Sequence, residues 1–175
     1  MKKKNIVAFI LARKGSKRLK NKNLQILFNK ISLVEATIKF AKKLRFVNDI
    51  ILSSDHKKIH NIGKKEKILS PGLRPKNLSS ANTSSEKVIE YLLNWYEQNE
   101  KQIDGILLLQ PTTPYRDISL FNKAYKLFNR NKNSVIGVTK IFKNPKNFFY
   151  GNRIFKKKKN LNKKKIFFFI DGSLF

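Results

Sequence analysis

The 175-residue chain contains no cysteine. Disulfides and thiolate metal centres are therefore excluded, and a reducing compartment, the cytoplasm, is the expected location. No apolar run is long enough to cross a bilayer, so a membrane partner is not expected. The N-terminus, Met1-Lys2-Lys3-Lys4 ahead of the apolar residues 6–12, mimics a short signal peptide. Its apolar part is at the lower length limit, and a basic loop stands where a small-residue cleavage site belongs. A buried first strand is the better reading. There is no internal repeat. Acidic residues are scarce: 11 Asp and Glu stand against 39 Lys and Arg, a net charge of +28.

Such a charge first suggests a nucleic-acid partner. Two features argue against it. The excess is mostly Lys spread along the whole chain, whereas Arg clustered on one element is the better reader of bases and phosphates. The enriched types, Lys, Asn, Ile and Phe, are those of A/T-rich codons. Nucleic-acid binding is expected only as nonspecific, salt-sensitive attraction. A hydrophobic fraction of 41% suffices for a packed core, and the length suits one ordinary domain.

Apolar and amphipathic segments alternate. Residues 5–12 read as a strand buried on both faces. Ser32-Leu33-Val34-Glu35 is a capping box opening a helix with Val34, Ile38 and Ala41 on one face. Asp49–Ser53 reads as a second strand, with a polar helix from about Asp55. Residues 70–80, with Pro71, Gly72 and Pro75, form an irregular loop. Thr83-Ser84-Ser85-Glu86 reads as a second capping box, leading a helix with Val88, Leu92 and Trp95 on one side. Gly105–Leu109 is a third strand, closed by Pro111 and Pro114. Phe121, Ala124, Tyr125 and Phe128 mark a further helix, and residues 134–139 a fourth strand. Beyond Pro145 come short aromatic segments, a Lys/Asn run over 156–165 that suits a solvated loop, and a strand-like 166–170. This order predicts an α/β fold with a mostly parallel sheet flanked by helices. Ligands of such sheets sit outside the carboxyl ends of the strands, where the loops after Leu11, Leu52 and Leu109 meet.

The loop after the first strand carries the strongest signal. Residues 11–23 read L-A-R-K-G-S-K-R-L-K-N-K-N. A buried strand opening into Arg, Lys, Gly and Ser suits phosphate. Gly15 permits close backbone approach, turn N–H groups form an anion site, and Arg13, Lys17, Arg18 and Lys22 supply charge. Other candidates are weaker. His56 and His60 share a helical spacing, but Lys57 and Lys58 intervene, which suits an exposed face better than a metal pair. Ser16 has no His in its motif to activate it as a nucleophile.

Residues 12–23 resemble the A-R-x-G-S-K-R-x-x-x-K-N signature of the acylneuraminate cytidylyltransferases, the CMP-sialic acid synthetases. Leu73-Arg74-Pro75, with Leu78-Ser79 and Thr83-Ser84-Ser85, resembles their next nucleotide loop. The segment Leu108-Leu109-Gln110-Pro111-Thr112-Thr113-Pro114-Tyr115-Arg116 resembles their L-L-Q-P-T-S-P-x-R motif, and Ser53-Ser54-Asp55 stands at their S-T-D. The related KDO cytidylyltransferases carry K-P-L at Lys22-Asn23-Leu24 and a Gln-Gly-Asp-type segment at Gln110-Pro111-Thr112, so the sialic-acid-like branch fits better.

The resemblance implies a Rossmann-like nucleotidyltransferase fold and transfer of CMP from CTP to a nine-carbon 2-keto sugar acid of the sialic, legionaminic or pseudaminic type, with magnesium. It implies phosphate contacts and catalytic roles for Arg13 and Lys22, with Ser16 and Lys17 beside them. Leu11, Ala12, Asn23, Arg74 and Ser84 would hold the nucleotide. Gln110 would face the sugar, and Arg116 would meet its carboxylate or position its loop. Asp55 is the one candidate metal helper. Residues 1–140 would be the nucleotide-binding domain. Residues 141–175 would be part of a dimerisation insertion and a cut-off strand, making a homodimer the expected assembly.

Several positions depart from the pattern. Lys14 replaces a small residue, Lys20-Asn21 a Pro-Gly-like pair, and Ala81 an Asp. Asp171-Gly172-Ser173-Leu174-Phe175 resembles the family's N-G-A-I-Y strand, and the later paired Asp residues that hold metal have no counterpart. A truncated enzyme is therefore expected. The alternatives are a nucleotide-binding remnant without turnover and a basic nucleic-acid-binding protein.

Overall fold

Every residue from Ile6 to Leu11 is apolar, and in the computed structural model this segment is the central strand β1 (Ile6–Leu11), covered on both faces. The structure describes residues 4–15, 19–27, 30–131 and 134–137. The order continues α1 (Leu33–Lys43), β2 (Asp49–Ser53), α2 (Lys57–Lys65), α3 (Ser85–Asn99), β3 (Gly105–Leu109) and α4 (Ile118–Asn131). β1 pairs in parallel with β2, Leu11 opposite Ser53, and with β3, Ile10 opposite Leu109. The described sheet therefore has the order β2-β1-β3. Parallel neighbours require long crossovers, and the helices supply them.

The two-residue period of β1 divides the core. Ile6, Ala8 and Ile10 pack with Val34, Ile38 and Ala41 of α1, Ile59 of α2, and Phe121, Ala124 and Phe128 of α4. Val7 and Phe9 pack on the other face with Val88, Ile89, Leu92 and Tyr96 of α3. Helices thus cover both sides of the sheet, as its all-apolar strands require.

The amino edge of the sheet is closed by the protein's own polar groups. Asn5 N donates to Asp104 Oδ2 at 2.7 Å, and Asn5 Nδ2 to the Gln102 carbonyl at 2.7 Å. The Tyr96 hydroxyl donates to Asp49 Oδ2 at 2.6 Å. Burial and that bond hold the phenol well above the usual tyrosine range.

The helix starts show where local signals suffice. Ser32 and Glu35 form the expected reciprocal box: Ser32 Oγ accepts from Glu35 N, and Glu35 Oε2 from Ser32 N at 2.7 Å. At α3 the cap is Ser84 rather than Thr83, so Glu86 is not placed to reciprocate. The Thr83 hydroxyl is instead engaged by Ser80 Oγ at 2.8 Å and the Asn77 carbonyl at 3.3 Å. α2 begins at Lys57, two residues beyond Asp55, because His56 Nδ1 caps it by accepting from Lys58 N at 3.1 Å. His60 Nδ1 lies 3.3 Å from Ser70 Oγ. The two histidines are half-buried and separately engaged, not side by side on an open face. Residues 134–137 are coil, with Val135 packed on the core. The rest of the expected fourth strand, 138–139, lies outside the described residues, as does the proposed second unit, 141–175.

Gly105 tests the tightness of this core. A Cβ there would stand 2.9 Å from both Ile6 Cδ1 and Phe128 Cζ, two fully buried side chains. Gly105→Ala is expected to lower stability by about 1–3 kcal/mol, read as a lower urea midpoint at unchanged slope.

Candidate functional site

Because all three strands run the same way, Leu11, Ser53 and Leu109 end at one edge of the sheet. A cavity of about 470 Å³ opens there. Leu11 reaches it from the end of β1, Arg13 and Gly15 from the loop that follows, and Lys22 and Asn23 from a short 3-10 turn (Lys22–Leu24). Arg74, Ala81, Thr83 and Ser85 reach it from the β2–α3 connection and the start of α3. Gln110, Pro111 and Thr112 come from the loop after β3. Six expected site residues are therefore brought together: Leu11, Arg13, Lys22, Asn23, Arg74 and Gln110. Ser16 and Lys17 lie outside the described residues.

Asn21 adopts a left-handed conformation, φ 54°, and turns the chain into the 3-10 turn. Asparagine tolerates that region better than most residues. The turn points Asn23 inward until it is only 8% exposed. Its Nδ2 donates to the Arg13 carbonyl at 3.0 Å, and its Oδ1 is buried with no hydrogen-bond partner among the described residues. The Arg13 carbonyl can only accept, which fixes the amide orientation and leaves an acceptor unmet. An unsatisfied buried acceptor costs about 1–3 kcal/mol.

Arg74 is only 7% exposed. Leu73 bridges to Ser54 along the outer edge of β2, and this carries Arg74 beside the strand end. Its Nε donates to Ser53 Oγ at 2.9 Å and its Nη2 to the Ser53 carbonyl at 2.7 Å. Burial lowers the pKa of its guanidinium; Asp55 opposes that shift and Arg13 adds to it. Arg74 remains charged regardless, as arginine does in proteins. It both anchors its loop and lines the cavity. Arg13 Nη1 reaches the Ser80 carbonyl at 3.3 Å. With Lys22, these groups make a cation-lined cavity suited to an anion.

Other expected residues stand back from the cavity wall. The Ala12 N–H is taken by the Ser53 carbonyl at 3.0 Å. Ser84 caps α3, and its neighbours Thr83 and Ser85 line the cavity instead. The Arg116 guanidinium holds the Gln110 carbonyl through Nη2 at 2.5 Å and Thr37 Oγ1 through Nη1 at 3.4 Å, and lies over the Phe40 ring. That arrangement positions the Gln110 loop. Asp55 Oδ1 accepts from Lys14 N at 2.6 Å. Among the described residues no group of three or more His, Asp or Glu could hold a metal ion. Asp55 is a single carboxylate whose Oδ1 is engaged by the Lys14 N–H.

Ser53, part of the S-T-D-like segment but given no role from sequence, is the anchor of the site. It joins β1, β2 and Arg74, and the available signal was a small polar residue closing an apolar strand. A Cβ on Gly15 would meet only Arg13 Nη1, at 4.0 Å, so packing does not demand glycine there.

Comparison with known proteins places these residues in context. The family model described as Cytidylyltransferase matches residues 7–168. The chain is similar to the CMP-N,N'-diacetyllegionaminic acid synthase of Legionella pneumophila, 32% identical over 80% of this chain and 60% of the relative. It is also similar to the N-acylneuraminate cytidylyltransferase of Escherichia coli, 35% identical over 70% of this chain and 28% of the relative. The chain thus spans 60% of the first relative and 28% of the second, less than two thirds of either. Among solved structures, a CMP:2-keto-3-deoxy-manno-octonic acid synthetase complexed with CTP shares the fold, with a TM-score of 0.57, 17% identity, and coverage of 73% of this chain and 48% of that one. No helix among the described residues is long and apolar enough to cross a membrane.

The Ser53 junction is open to test. Ser53→Ala leaves Arg74 Nε without its acceptor. It should cost about 1.5–3 kcal/mol, the range for hydrogen bonds to charged groups, in urea unfolding.

Proposed function

The chain belongs to the cytidylyltransferase family, and on that premise we propose that it transfers CMP from CTP to a nonulosonic acid of the sialic, legionaminic or pseudaminic type. The observation that carries the proposal is the meeting of Arg13, Lys22 and Asn23, three positions of one motif, with Arg74 and Gln110 around a single cavity.

In the reaction, the anomeric hydroxyl of the sugar acid attacks the α-phosphorus of CTP. A new P–O bond forms, the bond to the β-phosphate oxygen breaks, and pyrophosphate leaves with its electron pair. The hydroxyl proton passes to solvent. Little of this requires covalent help from the protein; it requires position and charge. Arg13 and Lys22 neutralise triphosphate oxygens. Asn23 Oδ1 accepts from the cytosine amine or a ribose hydroxyl, satisfying a buried group that is otherwise unmet. Leu11 and the fixed guanidinium of Arg74 form the back of the cavity. Gln110, held through its carbonyl by Arg116, faces the sugar. Magnesium, which polarises phosphate oxygens when bound, belongs to the proposal as an ion carried by the triphosphate. A homodimer and a cytoplasmic location, where CTP is made, complete it.

Pyrophosphate release from CTP and magnesium with neuraminic, legionaminic and pseudaminic acids provides the test. At least one acid should support release. Arg13→Ala should then lower kcat/KM by about a hundredfold, the scale for losing one preorganised charge-stabilising donor. CTP binding with no product from any acid would leave a nucleotide site and remove the transferase. Absence of both would end the proposal.

A further inference from the structure

The peptide unit joining Arg13 to Lys14 is held at both ends. Its carbonyl accepts from Asn23 Nδ2 at 3.0 Å, and its N–H donates to Asp55 Oδ1 at 2.6 Å. In a trans peptide these two groups point in opposite directions, so Asn23 and Asp55 grip the plane from opposite sides. The grip fixes ψ of Arg13 and φ of Lys14, and with them the direction in which the Arg13 side chain leaves the loop. It also sets the amide of Asn23, a residue that lines the cavity. Asp55 lies just past the carboxyl end of β2, so this grip ties the basic loop to the sheet across 41 positions of sequence.

The electrostatics agree with the geometry. Asp55 acts on the buried guanidinium of Arg74 as a counter-charge, whereas Arg13 acts on it as a like charge. The carboxylate therefore relieves repulsion between the two arginines that line the cavity.

We infer that Asp55 is a positioning residue for the nucleotide cavity, acting as a hydrogen-bond acceptor on the Arg13–Lys14 peptide to orient Arg13 and Asn23, and not as a metal ligand. The inference rests on reading the cavity as a CTP site. It separates from metal ligation, because an amide oxygen still accepts from a backbone N–H, more weakly than a carboxylate does, but is a poor substitute on magnesium.

Three proteins make the test: the 175-residue chain, its Asp55→Asn variant and its Asp55→Ala variant. Two measurements are made on each, the exchange rate of the Lys14 amide by NMR and the Kd for CTP by calorimetry with and without magnesium. Thermal melts confirm that each variant folds. Asp55→Ala should speed Lys14 exchange and weaken CTP binding, each by about tenfold, the factor for one lost hydrogen bond. Asp55→Asn should stay within about threefold of wild type on both, whether or not magnesium is present. Unchanged exchange or an unchanged Kd in Asp55→Ala would overturn the inference. So would Asp55→Asn as damaging as Asp55→Ala, which would make charge rather than the hydrogen bond the working property. If wild type binds no CTP, the nucleotide reading fails by itself, and Lys14 exchange across the three proteins still decides whether Asp55 holds the peptide.

Discussion

A central strand without a polar side chain constrains everything else. β1 must be covered on both faces and paired on both sides, because its apolar residues and its backbone groups cannot be left in water or unpaired in the core. Parallel pairing to β2 and β3 meets the backbone requirement. The crossovers that such pairing demands bring α1 to one face and α3 to the other, and α4, after β3, packs on the α1 side. The same pairing forces three strand ends onto one edge. The cavity is a consequence of that edge, not an addition to it.

The two edges of the sheet are finished in opposite ways. At the amino edge, Asn5, Asn48, Tyr96, Asp49 and Asp104 bond to one another or to the backbone beside them. At the carboxyl edge, Ser53 spends its carbonyl on Ala12 and Arg74 and its hydroxyl on Arg74. Around that junction Arg13, Lys22, Asn23 and Arg74 line a cavity. Each edge also holds one buried amide oxygen without a partner among the described residues, Asn5 Oδ1 and Asn23 Oδ1. What sets the carboxyl edge apart is its gathered cations, which suit an anion.

Much of this was legible in the sequence, and the limits have physical reasons. The bounds of β2 and β3 followed from short apolar runs between polar residues and prolines. The Ser32–Glu35 box was readable because every partner lies within one turn. The box expected at Thr83 does not form: the cap falls one residue later, at Ser84, because three adjacent hydroxyls competed and Ser80 and Asn77 in the preceding loop engaged Thr83. The gathering of Arg13, Lys22, Asn23, Arg74 and Gln110 followed from motif order on a parallel sheet. What each side chain does was not legible. Arg74 finds Ser53 through a bridge of Leu73 to Ser54, and Asp55 finds Lys14 across the sheet edge. Such long-range partners have no local signature. Arg116 could be read toward sugar or loop, and only its bond to the Gln110 carbonyl places it with the loop.

A crystal structure of the protein with CTP is the most direct measurement. The account requires the triphosphate against Arg13 and Lys22 and a ligand donor within hydrogen-bond distance of Asn23 Oδ1. CTP bound elsewhere, for example in the groove beside Lys42 and Lys67, or bound with the Asn23 oxygen still unmet, would contradict it.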